Sequence, residues 1–190
     1  MSSSYIESYL DLYHGTTESR AEQIVRTQTF IPSKDGWCGS GAYFYDIRAK
    51  AWWSASRTCS IEKENGNAFA KPDIVIADIK PLSRSFILDL RSPDGLGEFA
   101  DFVNEFLSED NFDIEEEMSD AERLRYKRAL LLSFFCEEND RKLVVGYFRQ
   151  QSQEKKDVTT EFADSWQLAI GIETIYCAKD VSIIENIRRR

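Results

Sequence analysis

Segments with strand-like and helix-like apolar spacing follow one another in the first third of the chain, and this succession limits the fold more than any other feature. Tyr9–Tyr13 predicts a short strand, and turn residues 14–17, with hydroxyls that can cap a helix, follow it. Ala21, Ile24 and Val25 then recur at helical spacing, in a helix predicted to end near Gln28.

The same order repeats directly afterwards. Residues 35–41 contain three glycines and predict a loop, Ala42–Tyr45 predicts a strand, and Asp46 is placed to cap a helix that runs through Arg57. Farther along we predict strands at 73–79, 84–90, 142–150, 166–172, 173–178 and 181–184, and amphipathic helices at 96–106 and 120–138. This layout predicts one α+β domain over residues 1–190.

Composition narrows the class of protein. A chain of 190 residues with 42% hydrophobic residues is long enough to build its own core. Its longest uncharged apolar stretches, such as Ala129–Cys136, are about eight residues, far below the roughly 20 needed to cross a membrane. The first residues lack the pattern of a secretory signal, so we expect a cytoplasmic protein without a membrane partner.

The formal charge of −9 is concentrated in one segment. Ser92–Glu122 carries twelve acidic residues and no Lys or Arg, which leaves 21 acidic and 24 basic residues elsewhere. We interpret about 92–122 as an acidic insertion, either a solvated connection or weak helix, or a docking surface for a basic partner.

Several kinds of chemistry are disfavoured by the residues present. His14 is the single histidine, and the four cysteines are far apart, so a zinc site lacks ligands at usable spacing and we expect no metal. We expect the cysteines to be free and mostly buried thiols. A serine-hydrolase elbow, a P-loop and a dinucleotide-binding glycine motif do not occur in the sequence.

Three local patterns occur in an informative order: Tyr13-His14-Gly15-Thr16 at a strand end, Gly39-Ser40-Gly41-Ala42-Tyr43-Phe44 before a helix, and Glu173-Thr174-Ile175-Tyr176 in a late strand. Together they resemble the His-Gly-Ser/Thr, Gly-x-Gly-x-Tyr-Phe and catalytic-glutamate motifs of NAD-dependent ADP-ribosyltransferases of the poly(ADP-ribose) polymerase and diphtheria-toxin-like type. The resemblance covers about residues 10–57 and 165–185. It implies a split β-sheet core with flanking helices and an NAD cleft.

The resemblance also implies roles for particular residues. Glu173 would be catalytic and would hydrogen-bond the nicotinamide-side ribose, where a carboxylate stabilises an oxocarbenium-like sugar. NAD would be bound by His14 at the adenosine ribose, by the Gly15 backbone at the nicotinamide amide, and by Tyr43 stacked on the nicotinamide. Thr16 either joins this site or only caps the helix. Trp53 would substitute for a second stacking tyrosine, with Trp52 as the alternative. Adjacent residues of a helix point about 100° apart, so we expect at least one of the two indoles to pack in the core.

Two differences between this sequence and members of the family refine the expected activity. Gly171 stands where the arginine-targeting branch has Glu or Gln, and 190 residues leave little space for the regulatory domain of chain-elongating polymerases. Transfer of a single ADP-ribose to a macromolecule is therefore expected, with nucleic acid (RNA) preferred to protein as acceptor. The resemblance further implies a bacterial toxin or antiphage effector with a neutralising antitoxin partner, for which the acidic segment is a docking candidate.

Three alternatives remain. An RNA 2′-phosphotransferase shares His-Gly-Thr but needs a further histidine, which this sequence lacks. An NAD glycohydrolase would use water as the acceptor. A catalytically silent NAD or ADP-ribose binding module would keep His14 and Tyr43 without needing Glu173.

Overall fold

The computed structural model describes residues 6–108, 119–149 and 172–189. Within these ranges the chain forms an α+β arrangement of eight strands and four α-helices. The strands are β1 (Ile6–Thr17), β2 (Ser33–Gly36), β3 (Gly39–Tyr45), β4 (Pro72–Ser83), β5 (Ile87–Asp89), β6 (Leu143–Arg149), β7 (Ile172–Ala178) and β8 (Ile184–Arg189). The helices are α1 (Glu18–Thr27), α2 (Arg48–Glu64), α3 (Pro93–Ser108) and α4 (Asp120–Glu138).

The strands form one mixed sheet in the order β5-β6-β7-β3-β1-β4-β8, and β2 pairs with β3 beside this path. β5 and β6 are parallel, and the other recorded pairs are antiparallel. β1 and β4 share a long ladder, whereas β1 meets β3 only where Tyr13 lies opposite Tyr45. The sheet is therefore least connected between β1 and β3.

Side chains on the two sheet faces form two separate cores. One core contains Leu12, Phe44 and Val75 and includes Ala21 and Ile24 of α1. The other contains Tyr45, Ile175 and Leu132 and includes Ala51 of α2 and Phe135 of α4. We call these the α1 face and the α2 face of the sheet.

The predicted helix boundaries agree with the structure at several points. α4 covers the predicted range 120–138, and a capping box between Ser119 and Glu122 fixes its start. α1 ends at Thr27, and Gln28 adopts a left-handed conformation that stops the helix. The predicted helix in the acidic segment lies within α3, residues 109–118 of that segment lie outside the described residues, and residues 119–122 are the cap and start of α4.

Some local predictions are wrong. Residues 14–17 are the last part of β1 and not a turn, because β4 runs beside them up to the pair Thr17–Pro72. The predicted caps are also absent: neither Thr17 before α1 nor Ile47 before α2 caps its helix with a side-chain hydrogen bond, and α2 starts two residues beyond Asp46.

The predicted loop at 35–41 is a tight hairpin of β2 and β3. β4 continues to Ser83 through Pro81, where the sequence predicts a break. Residues 181–183 form a 3₁₀ turn before β8. Most of the predicted strand at 166–172 lies outside the described residues.

All four cysteines are free and buried, as predicted. Among the described helices, none has a stretch long and apolar enough to cross a membrane.

Candidate active site

A buried carboxylate lies near the start of β7. Glu173 is only 3% exposed and sits opposite Phe148 of β6, on the same sheet face as Ile175 and Cys177. The Lys50 ammonium in the first turn of α2 lies 2.5 Å from its Oε1 atom. Removing a carboxylate from water is costly unless an opposite charge compensates it, and Lys50 supplies that charge.

Tyr45 lies beside this ion pair on the α2 face. In the register of β3 and β7 it is opposite Ile175, two residues along the strand from Glu173. Burial raises the pKa of Tyr45, and the negative charge of Glu173 raises it further. A hydrogen bond with Ser54 and the positive charge of Arg57 act in the opposite direction. The Tyr45 hydroxyl therefore lies within electrostatic range of both Glu173 and Arg57.

Gly15 lies where helix α2 presses against β1. A Cβ atom on Gly15 would be 1.9 Å from the Ala51 carbonyl oxygen, so only glycine fits this contact. Ala51 directly follows Lys50, which pairs with Glu173. Consecutive residues of α2 thus touch both the predicted nicotinamide-binding glycine and the predicted catalytic carboxylate.

The backbone of Gly15 points away from β4. Glu18 N–H donates to Lys71 C=O at 2.8 Å, and hydrogen-bonded pairs in an antiparallel ladder alternate along the strand. Gly15, three residues before Glu18, therefore directs its N–H and C=O toward the β3 side. β3 pairs with β1 only at Tyr13, so this backbone edge lies where the two strands have separated.

The His14 side chain lies on the α1 face of the sheet and connects the separated strands β1 and β3. Its Nδ1–H donates to the Tyr43 carbonyl at 2.8 Å, which leaves Nε2 for another partner. Its ring packs edge-on against Phe30, at 5.0 Å between centroids, and near Phe44. Burial lowers the pKa of His14, the Tyr43 carbonyl opposes this, and the charge of Arg20 adds to it.

Tyr43 is half-buried on the α2 face, with its hydroxyl tied to the β2–β3 hairpin. The hydroxyl donates to the Gly39 carbonyl and accepts a hydrogen bond from Cys38 N–H at 3.0 Å. A Cβ atom on Gly36 would be 2.0 Å from the Tyr43 ring, so this glycine makes room for the ring. These contacts fix the orientation of Tyr43.

Thr16 and Trp53 are placed in contrasting environments. Thr16 is 4% exposed and lies on the α1 face by strand alternation with His14. Trp53 and its neighbour Trp52 are each 46% exposed on the outside of α2, and the Arg57 guanidinium lies 5.7 Å from the Trp53 ring centroid. Neither indole belongs to the described buried core, contrary to the sequence prediction.

The predicted residues therefore divide between the two sheet faces. Gly15, Tyr43 and Glu173 share the α2 face, whereas His14 and Thr16 face α1. The His14 side chain reaches the first group through its hydrogen bond to the Tyr43 carbonyl.

Lys50 and Tyr45 belong to this site but are missing from the sequence prediction. Tyr45 directly follows the Gly-x-Gly-x-Tyr-Phe segment, and its alternation with Phe44 places it on the same face as Tyr43. Lys50 is a basic residue in the first turn of a helix, where the macrodipole disfavours a cation. A nearby buried carboxylate explains that placement.

A surface cavity of about 310 Å³ lies at the other end of β7. It is lined by Ser40, Ser133, Cys136 and Lys179 among others, and none of the predicted site residues lines it. Lys179 is six residues beyond Glu173, a separation of about 20 Å along an extended strand. The buried carboxylate and the separated β1 edge, and not this cavity, define the candidate site.

The described residues contain no group of three or more His, Cys, Asp or Glu side chains placed to hold a metal ion. Comparisons of the chain with models of protein families, with curated proteins and with solved structures found no match. The site is therefore interpreted from its own residues and from the motifs at positions 13–16, 39–44 and 173–176.

Proposed function

We propose that this protein is an NAD-dependent mono-ADP-ribosyltransferase with the split-sheet fold of that family. The observation that carries the proposal is the buried Glu173 carboxylate, compensated by Lys50 and joined through α2 to the open backbone edge of Gly15. These contacts support the roles that the motif resemblance implies for Glu173 and Gly15.

The reaction breaks the bond between nicotinamide nitrogen and ribose C1′. The electron pair leaves with nicotinamide, and the ribose gains oxocarbenium character. The Glu173 carboxylate, held in place by the Lys50 ammonium, would accept a hydrogen bond from the ribose 2′-hydroxyl that strengthens as positive charge develops. An acceptor oxygen or nitrogen then bonds to C1′ and gives its proton to solvent.

The remaining residues would position NAD. The Gly15 N–H and C=O, directed to the open side of β1, match the donor and acceptor atoms of the nicotinamide amide. The Tyr43 ring, fixed through its hydroxyl, offers a face to the cationic nicotinamide. His14 Nε2 would contact the adenosine ribose, and Thr16 supports β1 beneath it.

The acceptor and the biological setting are also part of the proposal. A nucleic-acid acceptor, RNA in particular, is preferred because the chain outside the acidic segment carries more basic than acidic residues. The motif resemblance supports a cytoplasmic bacterial toxin or antiphage effector. Its neutralising partner would dock on the acidic segment 92–122.

The deciding experiment is nicotinamide release from NAD labelled in the ADP-ribose part, in the presence of RNA, DNA and protein. We expect the wild-type chain to release nicotinamide and Glu173→Gln to lose at least 100-fold of the rate, because the amide keeps the shape but removes the charge that stabilises the sugar. Glu185→Gln in β8 is the matched control and is expected to retain the wild-type rate.

The fate of the label separates the alternatives. Label on a macromolecule supports transfer and identifies the acceptor, whereas free ADP-ribose alone supports an NAD glycohydrolase. If the folded wild-type chain binds NAD without releasing nicotinamide, the protein is a binding module and the proposed role of Glu173 is wrong.

A further inference from the structure

The first thirteen residues of α2 are basic although the whole chain is acidic, and its last turn adds Lys63 together with Glu62 and Glu64. Residues 48–60 contain three basic residues, Arg48, Lys50 and Arg57, and no acidic one, whereas the chain carries a formal charge of −9. Lys50 is turned to Glu173, which leaves the exposed Arg48 and Arg57 to set the potential of the outward side of this stretch. The charge of this helix surface therefore favours a polyanion.

Two large aromatic rings accompany these charges. Trp52 and Trp53 are each 46% exposed, an unusual position for indoles on a helix that buries only Ala51, Ala55 and Cys59. The Arg57 guanidinium lies 5.7 Å from the Trp53 ring centroid. We call Arg48, Trp52, Trp53 and Arg57 the α2 outer face.

The hydroxyl groups of this helix are already used within it. Ser56 Oγ donates to the Trp52 carbonyl at 2.9 Å, and Ser60 Oγ donates to the Ser56 carbonyl at 3.1 Å. Recognition on this side therefore depends on flat aromatic rings and guanidinium groups.

The α2 outer face is continuous with the candidate active site. Lys50, Trp53 and Arg57 follow at spacings of three and four residues, so they form one row along the helix surface. The first member of the row pairs with Glu173, and the charge of the last acts on Tyr45 beside Glu173. A ligand lying along this row would have one end at the catalytic carboxylate.

We propose that the α2 outer face binds single-stranded nucleic acid and presents it to Glu173 as the ADP-ribose acceptor, an inference that rests on the proposed transferase function. Base stacking on exposed aromatic rings, combined with basic side chains along the backbone, is how single strands are held without sequence preference. A duplex hides the base faces that the two tryptophans would contact. An acidic protein would use the charges but not the two indole surfaces.

The test is binding of a fluorescently labelled 20-nucleotide RNA to the full chain, measured by anisotropy without NAD. We expect Trp53→Ala, which removes the indole of the row that leads to Glu173, to weaken binding about five- to 100-fold, the effect of losing one stacked base. Arg57→Glu is expected to weaken binding and to reduce the slope of log affinity against log salt by about 0.7 or more. Binding of a DNA strand of the same sequence shows whether the affinity depends on the ribose sugar.

Two control variants make the same kinds of substitution at sites away from the α2 outer face. Phe69→Ala removes an aromatic residue that is 90% exposed in the loop after α2, and Arg26→Glu reverses a charge on α1, on the other face of the sheet. Both are expected to bind RNA like the wild type.

The proposal is overturned if the single strand does not bind, if the α2 variants bind it unchanged, or if duplex RNA or polyglutamate competes as well as the single strand. Nicotinamide release by the wild-type chain, measured separately with RNA, DNA and protein present, reports on the NAD chemistry and not on binding to the α2 outer face. A chain that binds RNA through α2 but leaves NAD intact would therefore contradict the transferase function while supporting the interface.

Discussion

Glu173 is a charged residue at a position where strand alternation calls for an apolar one. Ile175 and Cys177, its neighbours on the same face, are buried. A charged residue at such a position destabilises a core unless a partner compensates it, which makes Glu173 a candidate functional residue. The motif around Glu173 makes this residue predictable, but its partner lies 123 positions away in sequence and becomes evident only in the fold.

Removing the Lys50 charge is expected to destabilise the protein. Lys50→Met would leave Glu173 buried without its ammonium partner and lower the free energy of unfolding by about 2 kcal/mol, less than the roughly 3–5 kcal/mol of a fully buried pair. The lysine side chain is 36% exposed, which reduces the effect. Urea denaturation of the wild type and of Lys50→Met measures this loss of stability.

The double variant tests whether the two residues act as a pair. Lys50→Met combined with Glu173→Gln is expected to be more stable than Lys50→Met alone, because no buried charge is left uncompensated. Additive losses from the two substitutions would contradict a direct interaction.

His14 is expected to make stability depend on pH. Burial holds its pKa below the ordinary value of about 6.5, so near and below pH 6.5 the unfolded chain binds a proton that the folded chain does not. The His14 contribution to stability is therefore complete above pH 6.5 and declines as the pH falls toward the lowered folded pKa.

The chain contains one histidine, so the measurement is unambiguous. The free energy of unfolding of the wild type, measured from pH 5 to pH 7.5, should rise with pH more steeply than that of His14→Gln. Parallel curves for the two proteins would show that His14 is not held neutral.

Among the elements, β1 shows best what local patterns can and cannot reveal. Its apolar residues indicate a strand, but the polar residues 14–17 look like a turn because glycine and threonine are common in turns. Pairing with β4 keeps these residues extended, and that contact is not visible in a local window. α4, in contrast, begins at a capping box whose residues stand close together in the sequence, and its predicted range is confirmed.

Gly15→Ala is expected to be destabilising through the contact between β1 and α2. The added methyl group would meet the Ala51 backbone, which cannot move without shifting the helix, so we expect a loss of about 1–3 kcal/mol. Gly97→Ala in α3 is the matched control.

Among the described residues, no atom outside the local backbone of α3 lies within 4 Å of a Cβ on Gly97. Alanine there should therefore be neutral or stabilise the helix by up to about 1 kcal/mol. Thermal denaturation of both variants tests the contrast. Equal effects would mean that α2 does not press on β1 at Gly15.

At the scale of the whole molecule, the sheet places its earliest strands in the middle. β1 lies between β3 and β4, while β5 and β8 form the two ends of the main path. The sequence predicts the α+β class because strands and helices are locally recognisable. The order of the strands could not be predicted, since contacts such as Val75–Arg189 join residues far apart in the chain.

The rates of amide hydrogen exchange should reflect the position of each strand in the sheet. Amides of β3 and β7, which have neighbours on both sides, are expected to exchange more slowly than amides of β8, which among the described strands pairs with β4 alone. Mass spectrometry of peptides that cover 39–45, 172–178 and 184–189 makes the comparison. Equal protection of β8 and β3 would contradict the sheet order.

The position of β7 also affects the stage of folding at which the candidate active site forms. β7 inserts between β3 and β6, two strands that precede it in the chain, and it joins the β5–β6 pair to the rest of the sheet. Long-range pairings of this kind form late because the loop between the strands must first close. Glu173 would thus reach its place in the same step that unites the sheet, and partly folded chains would lack the carboxylate that the proposed reaction needs.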